Sequence, residues 1–301
     1  PGYRPRENSG FTATDVAFYE DVLEDPRYLT ADAINEVERL ALYGVADFDF
    51  NFLGGVNSKT EFLYNNRKTT AENWRQFFPQ IRGVSTIFGN FFAYQQDPTY
   101  VNPMNSVGLP VILWPSNTEV DIDYYYAATS LTGDFADAGI GFLEDWAWEL
   151  GANYSLSEGA YTRNQIQASQ TGDWSQFGPA GQYDAQGNPI GGTGPIPQFN
   201  YFTPEFLSGN YTQAQFDTIN ELETGNTEYT QWLINGNMAG ELFDLNAGPV
   251  LAAVGFEYRK FEIEDVPGEL TRAGDIWGSS SAGITAGDDT VAEVFTELEI
   301  P

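Results

Sequence analysis

Apolar and polar residues alternate along much of this chain with a period of two, the spacing that sends successive side chains to opposite faces of a β-strand. The clearest stretch is Asp145–Ser157. Its even positions read Trp146, Trp148, Leu150, Ala152, Tyr154 and Leu156, against Asp145, Ala147, Glu149, Gly151, Asn153 and Ser155. Glu36–Phe50 carries Leu40, Leu42, Gly44, Ala46, Phe48 and Phe50 on one face. Val56–Arg67 sets Val56, Thr60, Phe62 and Tyr64 against Asn57, Lys59, Glu61 and Asn65. Glu119–Leu131 sets Val120, Ile122, Tyr124 and Tyr126 against Asp121, Asp123 and Tyr125. Glu228–Leu242 sets Trp232, Ile234 and Met238 against Gln231, Asn235, Asn237 and Glu241. Pro249–Lys260 alternates Val250, Ala252, Val254, Phe256 and Tyr258 with Gly255, Glu257 and Arg259. Val291–Ile300 sets Val294, Leu298 and Ile300 against Glu293, Glu297 and Glu299. The pattern predicts antiparallel strands over 36–50, 56–67, 119–131, 145–157, 228–242, 249–260 and 291–300.

The connections between these strands alternate in length. Asn51–Gly55, Thr132–Glu144 and Phe243–Gly248 are short, whereas 67–119, 158–227 and 261–290 are long. Nothing forces that order in a soluble sandwich. It is the order of an outer-membrane barrel, with short periplasmic turns and long external loops. The fold class predicted is therefore all-β, a segment of an antiparallel transmembrane β-barrel. The long connections have loop chemistry: Gly178–Pro197 is rich in Gly, Pro, Asn and Gln. Two short helices are expected, one in Thr203–Asn220 with Thr203 as N-cap and Pro204 at the first helical position, the other over Asp15–Leu23.

Composition narrows the chemistry. The chain has 301 residues and neither Cys nor His, which removes disulfides, thiolate and imidazole catalysis, and nearly every zinc site. Asp and Glu number 43 against 13 Lys and Arg, a net charge of −30, so a nucleic acid partner is excluded by repulsion. An aromatic content of 15% separates the chain from acidic disordered sequences. No apolar run is long enough for a membrane helix, which leaves barrel strands open. The first residues lack a basic start followed by an apolar core, so no signal peptide is expected.

Acidic groups at Asp121 with Asp123, at Glu262, Glu264 and Asp265, and at Asp288 with Asp289 invite a calcium or glycosidase reading. With this many acids, chance pairs on solvated faces account for them, and no catalytic, metal-binding or cofactor-binding residue is predicted. The loop aromatics Trp74, Tyr100, Trp114, Trp174, Tyr201, Tyr211 and Trp277 have two readings. They stack on a sugar or flat chelate, or they pack the loops against one another. Trp74, Tyr100, Trp114, Trp174 and Trp277 are the ligand-binding candidates. The strand aromatics read as residues of a lipid-facing girdle.

The stretch from Gly240 to Lys260, GELFDLNAGPVLAAVGFEYRK, resembles TonB-dependent outer-membrane receptors. In that family a strand ends on Gly-Asp/Glu-Leu-Phe, turns tightly, and resumes through Ala-Gly-Pro-Val to Gly-x-Glu-Tyr-Arg. Here those are Gly240 to Phe243, Ala247 to Val250, and Gly255 to Arg259. The resemblance implies an active importer in the outer membrane of a Gram-negative bacterium. Its ligand would be an iron chelate, cobalamin or an oligosaccharide, and its partners membrane lipid, lipopolysaccharide and the inner-membrane TonB complex. The plug domain, the TonB box and a closing strand are missing, so an internal barrel segment is expected. Gln231, Asn235, Glu257 and Arg259 would face the lumen or plug. Trp146, Trp148, Tyr154, Trp232, Val254 and Phe256 would face lipid. The alternatives are a secreted or surface-attached acidic β protein that binds glycans or calcium, and a carboxylate-dependent glycosidase.

Overall fold

The computed structural model describes residues 26–51, 55–79, 111–136, 140–173 and 209–301, short pieces at 4–5, 16–17, 81–82 and 107–108, and the single positions Tyr201 and Phe206. Its framework is one seven-stranded antiparallel sheet. In chain order the strands are β1 (Glu36–Phe50), β2 (Val56–Ala71), β3 (Trp74–Phe77), β4 (Ile112–Pro115), β5 (Thr118–Asp134), β6 (Ala147–Ile166), β7 (Asn220–Leu245), β8 (Gly248–Val266) and β9 (Thr285–Glu299). The sheet runs β9-β8-β7-β6-β5-β2-β1, so each of these strands pairs with its neighbour in the sequence of long strands.

β3 and β4 pair only with each other, but they prolong the β2/β5 hairpin in its own register. Ala71 lies opposite Thr118, and Trp74 opposite Pro115. At the other end of the sheet the chain reverses tightly. β7 and β8 are joined through Asn246 and Ala247, after which Gly248 takes φ +141°, a conformation suited to glycine. A bulge between Glu241 and Phe243 inserts one residue in β7, which returns Phe243 to the side of Val250.

Five strands, β2 and β6 through β9, run further toward the long-connection end than hydrophobic alternation predicts. β7, for example, begins at Asn220 and not at Glu228. The backbone ladder continues there while the alternation of apolar residues does not, so the sequence pattern fades before the hydrogen bonds do. β6 begins at Ala147, leaving Asp145 and Trp146 outside the strand.

The long connections hold a second body, the cap. It contains β3, β4, α1 (Ala168–Thr171), α2 (Gln213–Ile219) and α3 (Glu269–Ala273). The stretch Thr203–Asn220 contains α2, whose N-cap is Thr212, and Phe206 ahead of it is helical as well. The Thr212 hydroxyl accepts from the Gln215 N–H, and the Gln215 side chain accepts from the Thr212 N–H. The position of Thr203 lies outside the described residues. Val16 and Ala17, inside the other expected helix, are extended and pair with Arg4 and Pro5.

Among the described residues the buried hydrophobic cluster lies in the cap and not on the sheet. Phe77, Ile112, Trp114, Ile166, Ala168, Tyr201, Phe206, Ile219 and Trp277 form it, drawn from all three long connections and the strand ends beside them. Among the described residues no second sheet covers the seven strands, and large apolar side chains stand in the open: Leu42 is 57% exposed, Phe48 60% and Phe62 51%.

Candidate functional site

Cross-strand partners share a face, so the register sorts every strand residue onto one of two sides. One side is apolar. It carries Leu40 to Phe50 on β1, Val56 to Tyr64 on β2, Tyr125 to Gly133 on β5, Trp148 to Leu156 on β6 and Val250 to Tyr258 on β8, taking alternate residues. Each stretch is about nine to eleven residues long, the length a tilted strand needs to cross a bilayer core. Aromatic residues bound the belt at both ends. Toward the short turns stand Phe50, Trp148 and Phe243. Toward the cap, Tyr64 pairs with Tyr125 at 5.2 Å between ring centroids, Tyr154 pairs with Trp232 at 4.4 Å, and Tyr258 follows on β8.

Beyond the upper aromatic row the same side becomes acidic. Asp123, Glu158, Glu228 and Glu264 are successive cross-strand partners on four neighbouring strands. Tyr64 donates to Asp123 at 2.7 Å, and Asn66 donates to Asp121 and Asp123 at 2.8 and 3.1 Å. Like charges opposite one another weaken a sheet. Their tolerance here marks this band as open to water. Among the described residues no group of three acids is arranged to hold a metal ion.

The opposite side is polar along the height of the apolar belt. Gln231, Asn235, Glu257 and Arg259 all lie on it. Arg259 Nε is 2.6 Å from Glu257, and its other nitrogen is 3.5 Å from Glu293. Lys59 and Glu61 form a second pair at 2.5 Å. The Asn235 amide lies across Gly151, where a Cβ would collide with it. This side also carries exposed apolar groups, Tyr43, Val45 and Phe295 among them.

Trp148, Tyr154, Trp232, Val254 and Phe256 lie together on the apolar side. Trp146 differs from them. It is 5% exposed, its ring covers Gly240, and its Nε1 donates to the Glu241 carbonyl at 2.8 Å. It is a buried residue of the sheet margin, because a glycine opposite leaves its ring a seat against the backbone. Phe256 uses the same device over Gly236, and Trp148 over Gly133.

On β5 the alternation holds, with the more apolar set on the polar side. Tyr125 joins the apolar side, while Val120, Ile122, Tyr124 and Tyr126 project from the polar one. Above the upper aromatic row the two sides exchange character. The apolar side turns acidic, and the polar side carries Val120, Ile122, Tyr124 and Tyr161.

Among the five loop aromatics that the structure describes, Trp114, Tyr201 and Trp277 are core and Tyr211 packs against them. Trp114 is fully buried and Trp277 is 6% exposed, so neither offers a ring to a ligand. Phe77 stands edge-on to both, and Trp114 stacks on Phe216 at 5.0 Å. Trp277 Nε1 donates to the buried Asp173 at 2.7 Å, and Arg75 lies over the Trp277 ring and donates to its carbonyl. Tyr201 donates to the Thr171 carbonyl at 2.7 Å. Burial pushes the Tyr201 phenol well above its ordinary pKa and raises Tyr211 to about 12, while it lowers the Arg75 guanidinium. Trp74 is half-buried, held by Arg27 across its ring and by a hydrogen bond to Thr30. Tyr100 and Trp174 lie outside the described residues.

Polar clasps tie the cap to the strand ends. Asp275 accepts from the Ser169 N–H, the Ser169 hydroxyl and Gln167. Glu223, on the polar side of β7, accepts from both the N–H and the hydroxyl of Thr271 in α3. That contact puts α3 over the polar side. Sequence reading missed these clasps, because Glu223 and Asp275 are two among many acids and only the fold singles them out. Comparison with protein-family models and with curated proteins returns no match.

Proposed function

We propose that the seven strands are wall of a transmembrane β-barrel in a Gram-negative outer membrane, and that the chain serves energy-coupled uptake of a scarce ligand. One observation carries the membrane part: an uncovered apolar belt of bilayer height, edged by aromatics at both ends, backed by a polar face with ion pairs. A water-soluble sandwich would bury such a belt under a second sheet. The uptake part rests on the resemblance of Gly240–Lys260 to TonB-dependent receptors, together with a cap that leans over the polar side, as external loops over a lumen would. β1 and β9 are the sheet's outer strands. In a closed barrel their free edges pair with further strands, and the polar side faces the lumen or a plug.

The test uses the protein as its host produces it. Outer membranes are separated and extracted, and the protein is followed by heat-modifiable mobility. Extraction only with detergent and a folded, faster-migrating band are expected. Release into water without detergent would remove the proposal and favour the secreted alternative. Uptake is then measured with and without the proton-motive force, and transport that continues after the force is collapsed would reject energy coupling.

A further inference from the structure

Most cations of the sheet are neutralised where they stand. Lys59, Lys68, Arg259 and Lys260 each pair with a carboxylate, and Arg163 lies over the Tyr161 ring. Arg39 and Arg67 are the exception. They are direct cross-strand partners on β1 and β2, both exposed and both on the polar side. Among the described residues neither side chain has an ion pair, a hydrogen bond or a ring contact. Like charges directly opposite, about 5 Å apart at their β-carbons, weaken a sheet. In a chain of 43 acids and 13 cations a carboxylate between them would be the ordinary remedy, and none is there.

The surroundings leave that charge intact. On the polar side the pair is flanked by Val37, Ala41, Asn65, Thr69 and Ile122. The nearest acids of that side, Glu61, Glu223 and Asp265, are each roughly 20 Å away by strand spacing. Each is engaged, Glu61 by Lys59, Glu223 by Thr271 and Asp265 by Thr227. Glu38 and Glu119 are closer but belong to the other side, beside Lys68. Screening acts over about 8 Å at physiological salt, so the pair forms a local positive site despite the net charge. Asn65 and Tyr124 are partners of each other in the next row, and neither side chain has a hydrogen bond among the described residues.

Two guanidinium forks offer more than a carboxylate can use. A carboxylate has one charge and two oxygens, which one fork satisfies. A phosphate monoester has close to two charges and three acceptor oxygens. We propose that Arg39 and Arg67 form a binding site for a phosphate dianion, free or at the end of a monoester, with Asn65 and Tyr124 donating beside them. The apolar belt is on the other side of the sheet, so the phosphate is that of a water-borne solute. The site follows from the strand register and does not depend on the membrane reading.

The test titrates the detergent-purified protein by calorimetry with inorganic phosphate and glycerol 3-phosphate. Dimethyl phosphate serves as the singly charged probe and succinate as the dicarboxylate. Saturable binding of inorganic phosphate and glycerol 3-phosphate is expected, with both control probes at least tenfold weaker. Affinity for glycerol 3-phosphate should rise about tenfold from pH 5 to 7.5, as the ester takes its second charge near pH 6. Arg39→Ala and Arg67→Ala should each weaken binding tenfold or more. Lys59→Met, which removes a paired cation of the same side, should leave it within about twofold. In phosphate-free buffer Arg67→Gln should be at least as stable as the parent, because it relieves repulsion. Unchanged heat-modifiable mobility certifies that the variants fold. No phosphate binding, equal binding of succinate or dimethyl phosphate, a flat pH profile, full affinity in both alanine variants, or a destabilised Arg67→Gln would each overturn the proposal. A protein that needs detergent and fails these tests keeps the wall and loses the site. One that is soluble without detergent and passes them keeps the site and loses the wall.

Discussion

Val254 sits midway along the apolar belt of β8, four residues from Val250 and four from Tyr258, opposite Met238 on one side and Thr296 on the other. At about 3.4 Å per residue and a tilt near 40°, that places it roughly 10 Å from either edge of the belt. Val254→Arg therefore sets a guanidinium near the middle of the proposed bilayer. The expected cost is about 2–4 kcal/mol. In the folding equilibrium that is a factor of roughly 30 to 900. Ala253→Arg is the control. It lies one residue away at almost the same height, but on the polar side, opposite Ala239 and Glu297. There the guanidinium meets a carboxylate, and the expected change is within about 0.5 kcal/mol. Both variants are refolded into phospholipid vesicles and unfolded in urea, with the fraction inserted read from heat-modifiable mobility. A cost below about 1 kcal/mol for Val254→Arg, or equal costs for the two variants, would refute the assignment of faces.

Two further outcomes follow from the packing. Gly240→Ala drives a methyl into the Trp146 ring and should cost about 1–3 kcal/mol with a shift in tryptophan emission; an unperturbed spectrum and midpoint would contradict the seat described above. Tyr201 and Tyr211 both have raised phenol pKa values through burial. Their contribution to cap stability is whole below the unfolded value of about 10 and is lost as pH climbs toward the folded value, which for Tyr211 is about 12. Tyrosinate absorbance and amide exchange in α2 should show the cap protected at pH 9 and loosening between pH 10 and 12; uniform exchange across that window would contradict it.

Much of the strand framework was legible because a one-sided apolar belt writes a period of two into the sequence. The same belt explains what was not legible. Above the upper aromatic row the sides exchange character, so 220–227 and 158–166 carry ladders that hydrophobic alternation does not mark. Val120 and Ile122 alternate as belt residues would, and lie instead on the polar side. The N-cap of α2 could have been found, since Thr212 and Gln215 have capping-box spacing. The burial of Trp114 and Trp277 could not, because their partners lie far away in sequence. The glycines of the family-like stretch acquire a physical reading: Gly240 seats Trp146, and Gly255 lies under Phe295.

The cap core has a consequence for the order of folding. Phe77 and Trp114 come from one connection, Tyr201 from another and Trp277 from a third, while Ile166 and Ile219 sit where strands end. The sheet can zip hairpin by hairpin, with each strand closing on a neighbour in the series. The cluster cannot begin until those hairpins have brought distant segments together, because each missing strand leaves a long loop still to be closed. The cap end of the sheet is thus the last part to take shape. A chain halted partway through assembly would present a finished lower rim and an unsealed top.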